Sequence, residues 1–195
     1  PMDDMLARFP HEERFNAAGK VVMPGFVDPH THLIFMGNRA LEFEMRLEGK
    51  SYQEIMAAGG GIVNTVRMTR DTSLEELLAA ARTRIQGMLK HGTTTAEAKT
   101  GYGLTPASEL TQLQAILKLD HESALELVPT YLGAHAIPEE YAHDPQGYTD
   151  LVVEQMLPGV QQWWQHNAPN HPLPFVDVFC RSEEHTSELQ SRQSI

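Results

Sequence analysis

Short apolar runs rich in β-branched residues alternate along this chain with longer stretches whose apolar positions recur every three or four residues. Residues 21–28 (VVMPGFVD) predict a turn leading into a short buried strand. Ser51, with Glu54 three positions on, predicts a helix start that closes at Gly59-Gly60-Gly61. Ser73 with Glu76 opens a longer helix, whose stripe of Leu74, Leu77, Leu78, Ala81, Ile85, Met88 and Leu89 ends at Gly92. Residues 93–98 (TTTAEA) cluster β-branched side chains and predict a strand. Thr105-Pro106 begins the next helix, with Leu110, Leu113 and Leu117 as its buried side. Residues 125–132 predict a third strand. A helix from 149 to about 165 is interrupted at Pro158, and residues 175–179 (FVDVF) form a fourth strand.

Strands separated by helices imply a parallel sheet with crossover connections. Four strands in about 160 residues fit half of a (β/α)8 barrel. A doubly wound open sheet has the same periodicity, so the pattern alone leaves both open. Residues 1–20 are polar and irregular. Residues 181–195 show no alternation and almost no apolar content, which predicts a disordered or foreign tail.

The chain has 195 residues and 41% hydrophobic content, enough for one ordinary domain with a packed core and room for a small appendage. A formal charge of -11 leaves no basic stripe for phosphates, which argues against nucleic acid. No apolar run is long enough for a bilayer, and no signal-peptide pattern opens the chain. The single cysteine, Cys180, excludes an internal disulfide and fits a reducing compartment, so cytoplasm is the default expectation. The first residue is proline, not methionine, which suggests a start further upstream.

Asp28-Pro29-His30-Thr31-His32 carries the most chemistry. Residues two apart on a strand share a face, so His30 and His32 can offer two imidazoles to one divalent cation. Asp28 could orient such a ligand. With ten histidines in the chain, one His-x-His pair means little by itself. Its place directly after an apolar strand headed by Pro24-Gly25 is where barrel enzymes build their sites. On spacing alone, metal ligation and a solvated pair stay equally open. His135 follows the third strand and Lys99-Thr100-Gly101-Tyr102-Gly103 follows the second, which puts them on the same rim of a parallel sheet. His135 could be a third ligand, a proton carrier or a hydrogen-bond donor, or simply a solvated loop residue. Tyr102 offers a hydroxyl. Lys99 reads as a structural lysine ahead of a carbamylated metal bridge. Arg39 could grip a carboxylate with two parallel hydrogen bonds, or pair at the surface with Glu42 or Glu44. Gly59-Gly60-Gly61 lacks the Lys-Ser/Thr of a phosphate loop.

Taken together, these runs are more specific than any one of them. Residues 24–32 (PGFVDPHTH) resemble the first-strand signature of the amidohydrolase superfamily. Within it, residues 37–39 (GNR), 59–63 (GGGIV), 99–104 (KTGYGL), 131–135 (YLGAH), 154–158 (EQMLP) and 175–180 (FVDVFC) resemble the imidazolonepropionase family in order and spacing, over residues 16–180. The resemblance implies a (β/α)8 barrel with a small β-sandwich built from both chain ends. Residues 1–22 would be a remnant of that small β domain, 23–180 the first half of the barrel, and 181–195 a tail outside the family. It implies hydrolysis of 4-imidazolone-5-propanoate to N-formimidoyl-L-glutamate in histidine degradation, with one divalent ion, zinc or iron. His30 and His32 would be metal ligands. Arg39 would bind the propanoate carboxylate, Tyr102 and His135 would contact the imidazolone ring, and Tyr52 would join them. His135 would also be the catalytic residue that stabilises the oxyanion. The family's third histidine, its acid/base glutamate and its final aspartate would lie beyond Cys180. This chain is therefore expected to be an inactive, truncated piece of an enzyme that acts on a small molecule as a homodimer. The competing expectations are another cyclic amidohydrolase or deaminase, or a metal-binding fragment without activity.

Overall fold

The computed structural model describes residues 2–57 and 59–180. The tail expected at 181–195 lies outside the described residues. Four strands, β1 (Phe26–Asp28), β2 (Thr93–Lys99), β3 (Glu126–Ala134) and β4 (Phe175–Val178), form one parallel sheet in the order β1-β2-β3-β4. This sequential order decides between the two expected architectures. A doubly wound sheet reverses its strand order at a switch point, whereas a barrel lays each strand beside the last. No reversal occurs here, so the sheet is wound like part of an α/β barrel.

The helices expected from Ser73 and Thr105 form as α5 (Leu74–Lys90) and α6 (Pro106–Glu122), counting helices along the whole chain. Ser73 and Glu76 close a reciprocal capping box, and the Thr105 side chain accepts the Ser108 N–H. Residues alternate on β2. Ala96 and Ala98 are fully buried in the core shared with Leu77, Leu78, Ala81 and Ile85 of α5 and Leu113, Ile116 and Leu119 of α6. Small side chains there let two helices pack closely against the strand. On the opposite, concave face β2 presents Glu97 and Lys99, joined by Thr130 of β3 and Asp177 of β4.

Three helices depart from the sequence expectation: α1 (Met2–Arg8), α2 (Ala40–Leu47) and α4 (Gly61–Arg70). The helix from Ser51 forms as α3 (Tyr52–Ala57), but the glycine triplet does more than end it. Gly60 is the N-cap of α4, and Gly61, at φ +79°, starts that helix with its N–H on the buried carboxylate of Glu42, 2.7 Å away. The expected break at Pro158 sits one turn earlier. A π-helical turn, Val152–Met156, joins α7 (Pro145–Leu151) to α8 (Leu157–Asn167), absorbing the hydrogen bond that the proline cannot make. Among the described residues no strand forms before Phe26. Residues 2–22, expected as the remnant of a small β domain, hold α1 and irregular chain. Val21 and Val22 are 88% and 81% exposed, with no neighbouring strand to pair against. Among the described residues no helix is long and apolar enough to cross a membrane.

Candidate active site at the strand ends

The sequential parallel order brings the segments after β1, β2 and β3 to one rim. Thr31 is stitched to β2: its carbonyl accepts the Lys99 N–H at 2.9 Å, and its hydroxyl donates to the Glu97 carbonyl. His30 and His32 flank that stitch, and their rings stand edge to face with centroids 6.3 Å apart. Asp28 acts on the backbone here, its carboxylate accepting the His30 N–H at 3.3 Å.

His32 is the centre of the cluster. Its ring stacks on His135, centroids 4.8 Å apart and planes at 13°, and lies 4.8 Å from Tyr102. Tyr102 and His135 are themselves 5.2 Å apart, and Phe179 closes the far side of His135 at 5.8 Å. Burial lowers the pKa of His32 from its ordinary 6.5 to about 3, with the charge of His135 acting in the same direction. Burial also lowers His135, and it raises the Tyr102 hydroxyl against a smaller opposing pull from Arg39. Both rings are therefore neutral imidazoles and Tyr102 is a protonated phenol at neutral pH.

The Nδ1 atom of His32 is buried and has no hydrogen-bond partner among the described residues. An orphaned imidazole nitrogen is costly unless something coordinates it. A neutral imidazole with a free lone pair beside a second one is the donor set a divalent ion takes, so His30 and His32 fit a metal. Among the described residues no group of three or more His, Cys, Asp or Glu gathers as a complete cation site.

Next to this cluster, Tyr102 and Phe35 lead into an open cavity of about 550 Å³, lined also by Gly37, Asn38, Arg39, Thr65 and Arg84. Arg39 is exposed at its edge and donates to the Thr65 hydroxyl at 3.3 Å. The surface ion pair with Glu42 does not form, because the Glu42 carboxylate holds the Gly61 N–H. Arg84 stacks its guanidinium 3.7 Å from the Phe35 ring centroid. The helix that begins at Tyr52 lies on the same side of the sequence, but the Tyr52 side chain lies outside the described residues.

Lys99 is 4% exposed and sits between two carboxylates, Glu97 at 2.9 Å and Asp177 at 2.8 Å. Burial works against its charge, but the two acidic partners outweigh it and raise its pKa. A carbamate would set a third negative group between those carboxylates, so the structural reading of Lys99 holds. Sequence reasoning missed three contributors: Asp177, Phe179 and Glu109, the last a buried acid in the first turns of α6. An acidic residue shortly after a glycine-rich loop was the available signal for Glu109.

Residues 13–67 match the Amidohydrolase family. The chain is 49% identical over 177 residues to an imidazolonepropionase of Herpetosiphon aurantiacus, covering 91% of this chain and 42% of that protein. It is 51% identical over 183 residues to one of Chloroflexus aggregans, covering 92% and 43%. For one of Halobacterium salinarum the values are 46% over 193 residues, 97% and 44%. The chain thus spans somewhat under half the length of the curated relatives it matches. With this likeness reaching across all four strands and the rim they build, the chain belongs to the imidazolonepropionase family of the amidohydrolase superfamily.

Proposed function

We propose that the protein containing this chain hydrolyses 4-imidazolone-5-propanoate to N-formimidoyl-L-glutamate, a step of histidine degradation. One divalent ion, zinc or iron, would be held in part by His30 and His32. The observation that carries this reading is the buried Nδ1 of His32, without a partner among the described residues, beside His30 and 4.8 Å ring to ring from Tyr102, which lines a cavity edged by Arg39. Such an ion supplies a water whose pKa is lowered toward neutrality.

The chain's own residues do the rest. Arg39 grips the propanoate carboxylate, with two parallel hydrogen bonds fixing the arm in the cavity. Tyr102, kept protonated by burial, offers its hydroxyl to the imidazolone ring. His135 faces the same ring and, once it has taken a proton, stabilises the oxyanion that develops on the ring carbonyl. Tyr52 joins the substrate contacts. On this reading residues 23–180 are the first half of a (β/α)8 barrel, 1–22 a remnant of the small domain and 181–195 a tail outside the family. The remaining metal ligands and the acid/base glutamate come from sequence beyond Cys180. The complete enzyme is a cytoplasmic homodimer, and this chain alone is inactive.

The test is metal analysis and hydrolysis of 4-imidazolone-5-propanoate, followed by its ultraviolet absorbance, on the full-length protein. His30→Ala and His32→Ala should each lose bound metal and turnover together. A full-length protein that keeps its metal in both variants would sink the assignment.

A further inference from the structure

We propose that Glu109 is the positioning residue of the site, acting through the 100–104 loop to fix which nitrogen of His135 faces the substrate. The role given to that nitrogen rests on the reading of His135 above.

Glu109 is fully buried, and among the described residues it has no cationic partner. A carboxylate in that position is expensive unless donors surround it. Here the donors belong to the loop itself, the Thr100 side chain and three backbone amides. Its Oε1 accepts the N–H groups of Gly103 and Leu104, both at 2.8 Å, and its Oε2 accepts the Gly101 N–H at 3.1 Å. Three amides of one short loop thus converge on a single side chain. The loop does not take that shape freely. Gly101 sits at φ +104°, and Leu104 is the one non-glycine residue with positive φ among the described residues, at +53°. Glu109 supports this conformation from inside the loop, while Arg70 Nε donates to the Gly103 carbonyl at 2.6 Å and the Leu132 N–H donates to the Thr100 hydroxyl at 2.9 Å from outside it.

The loop in turn holds His135. The Gly101 carbonyl lies 2.8 Å from Nδ1 of His135. A carbonyl oxygen only accepts, so Nδ1 carries the hydrogen and Nε2 of the neutral ring is bare. A Cβ on Gly101 would come within 2.9 Å of His135 Cβ and Nδ1 and of the Leu132 carbonyl, so the two backbones are in contact with no slack. The consequence for chemistry is specific. Neutral His135 meets a ligand with a lone pair at Nε2. It accepts a proton or a ring N–H there, and it donates to an oxyanion only after taking a proton at that atom. Tyr102 rides on the same loop, between His32 and His135. Glu109 therefore places two substrate-facing groups while touching neither.

The experiment is nitrogen-15 NMR of histidine-labelled, metal-free chain at a pH where His135 is neutral. It reads the tautomer directly and involves no turnover, so it can fail while the proposed activity stands. Wild type should show His135 as a single Nδ1–H tautomer, with the amides of Gly101, Gly103 and Leu104 slow to exchange. Glu109→Gln turns one acceptor into a donor facing the loop amides. It should convert His135 to a mixture of tautomers and speed exchange at the three amides. Glu109→Asp keeps both oxygens but withdraws them by one methylene, and should give a smaller change of the same kind. A wild-type ring protonated at Nε2 overturns the proposal whether or not either variant folds. So does a folded Glu109→Gln chain that keeps the pure Nδ1–H tautomer.

Discussion

Replacing Lys99 with methionine removes the ammonium that Glu97 and Asp177 share while keeping nearly the same side-chain length. Strands in a sheet lie about 4.8 Å apart, so β2 and β4 are separated by about 10 Å with β3 between them. Lys99 spans that gap along the concave face and ties β4 to β2. The cost divides unequally between its partners. Asp177 has a 46% exposed side chain and regains water when the ammonium goes, so its share is about 0–1 kcal/mol. Glu97 is 18% exposed and would keep the Thr130 hydroxyl, at 2.7 Å, as a partner. Breaking a buried pair on one side costs about 3–5 kcal/mol. With Glu97 partly solvated, about 3 kcal/mol is expected for Lys99→Met. Urea unfolding of the chain, followed by circular dichroism, reads this as a lower midpoint at unchanged slope. Glu97→Gln combined with Lys99→Met should recover most of the loss, since the stranded charge is gone. The pH dependence supplies an independent arm. A lysine whose folded pKa is raised contributes stability that is fully present below its unfolded value of 10.5 and is lost as pH rises through the folded value. Lys99→Met should therefore flatten the alkaline limb above about pH 10.5. A loss below about 1 kcal/mol, or a double variant no more stable than Lys99→Met, would refute the account of Lys99 as a tie across the sheet.

Three further outcomes follow from single contacts. Tyr148→Phe deletes a hydroxyl that donates to the Gly133 carbonyl at 2.7 Å, next to the His135 segment, and should cost about 1–2 kcal/mol in thermal unfolding. His32, held neutral by burial with its pKa near 3, makes stability fall as pH drops. The unfolded chain takes up the proton first, so the contribution is complete above about 6.5 and declines toward pH 3. His32→Gln should flatten that acid limb when urea midpoints are measured in chelator; an unchanged limb would count against a buried neutral ring. In the full-length protein, Arg39→Ala should raise KM for the propanoate substrate about 10- to 100-fold, as expected for a lost charged hydrogen-bond pair. An analogue without the propanoate arm should show no such difference.

The parts of this molecule that could be read from sequence are those decided by neighbours along the chain. The Ser73–Glu76 box and the apolar stripe behind it specify α5 within one helix length, and they form as expected. His30 and His32 lie near each other, rings 6.3 Å apart, because two residues separated by one stay close even though β1 has already ended at Asp28. The glycine triplet misled because its outcome is tertiary. Glu42, nineteen residues earlier in the chain, supplies the acceptor that lets Gly61 begin a helix. Strand order was illegible too, since alternation of strand and helix is identical in a wound barrel and an open sheet. That order is what joins the site. Only when β1, β2 and β3 lie side by side in sequence do the segments after them meet at one rim, so that His32 stacks on a histidine more than a hundred positions away. The polar side chains within the fold follow the same rule. Lys99 and Glu109 look alike in sequence, each one charged residue beside a glycine-rich turn. The first is answered by two carboxylates and the second by three backbone amides, and that difference makes one a strut of the sheet and the other the support of a loop.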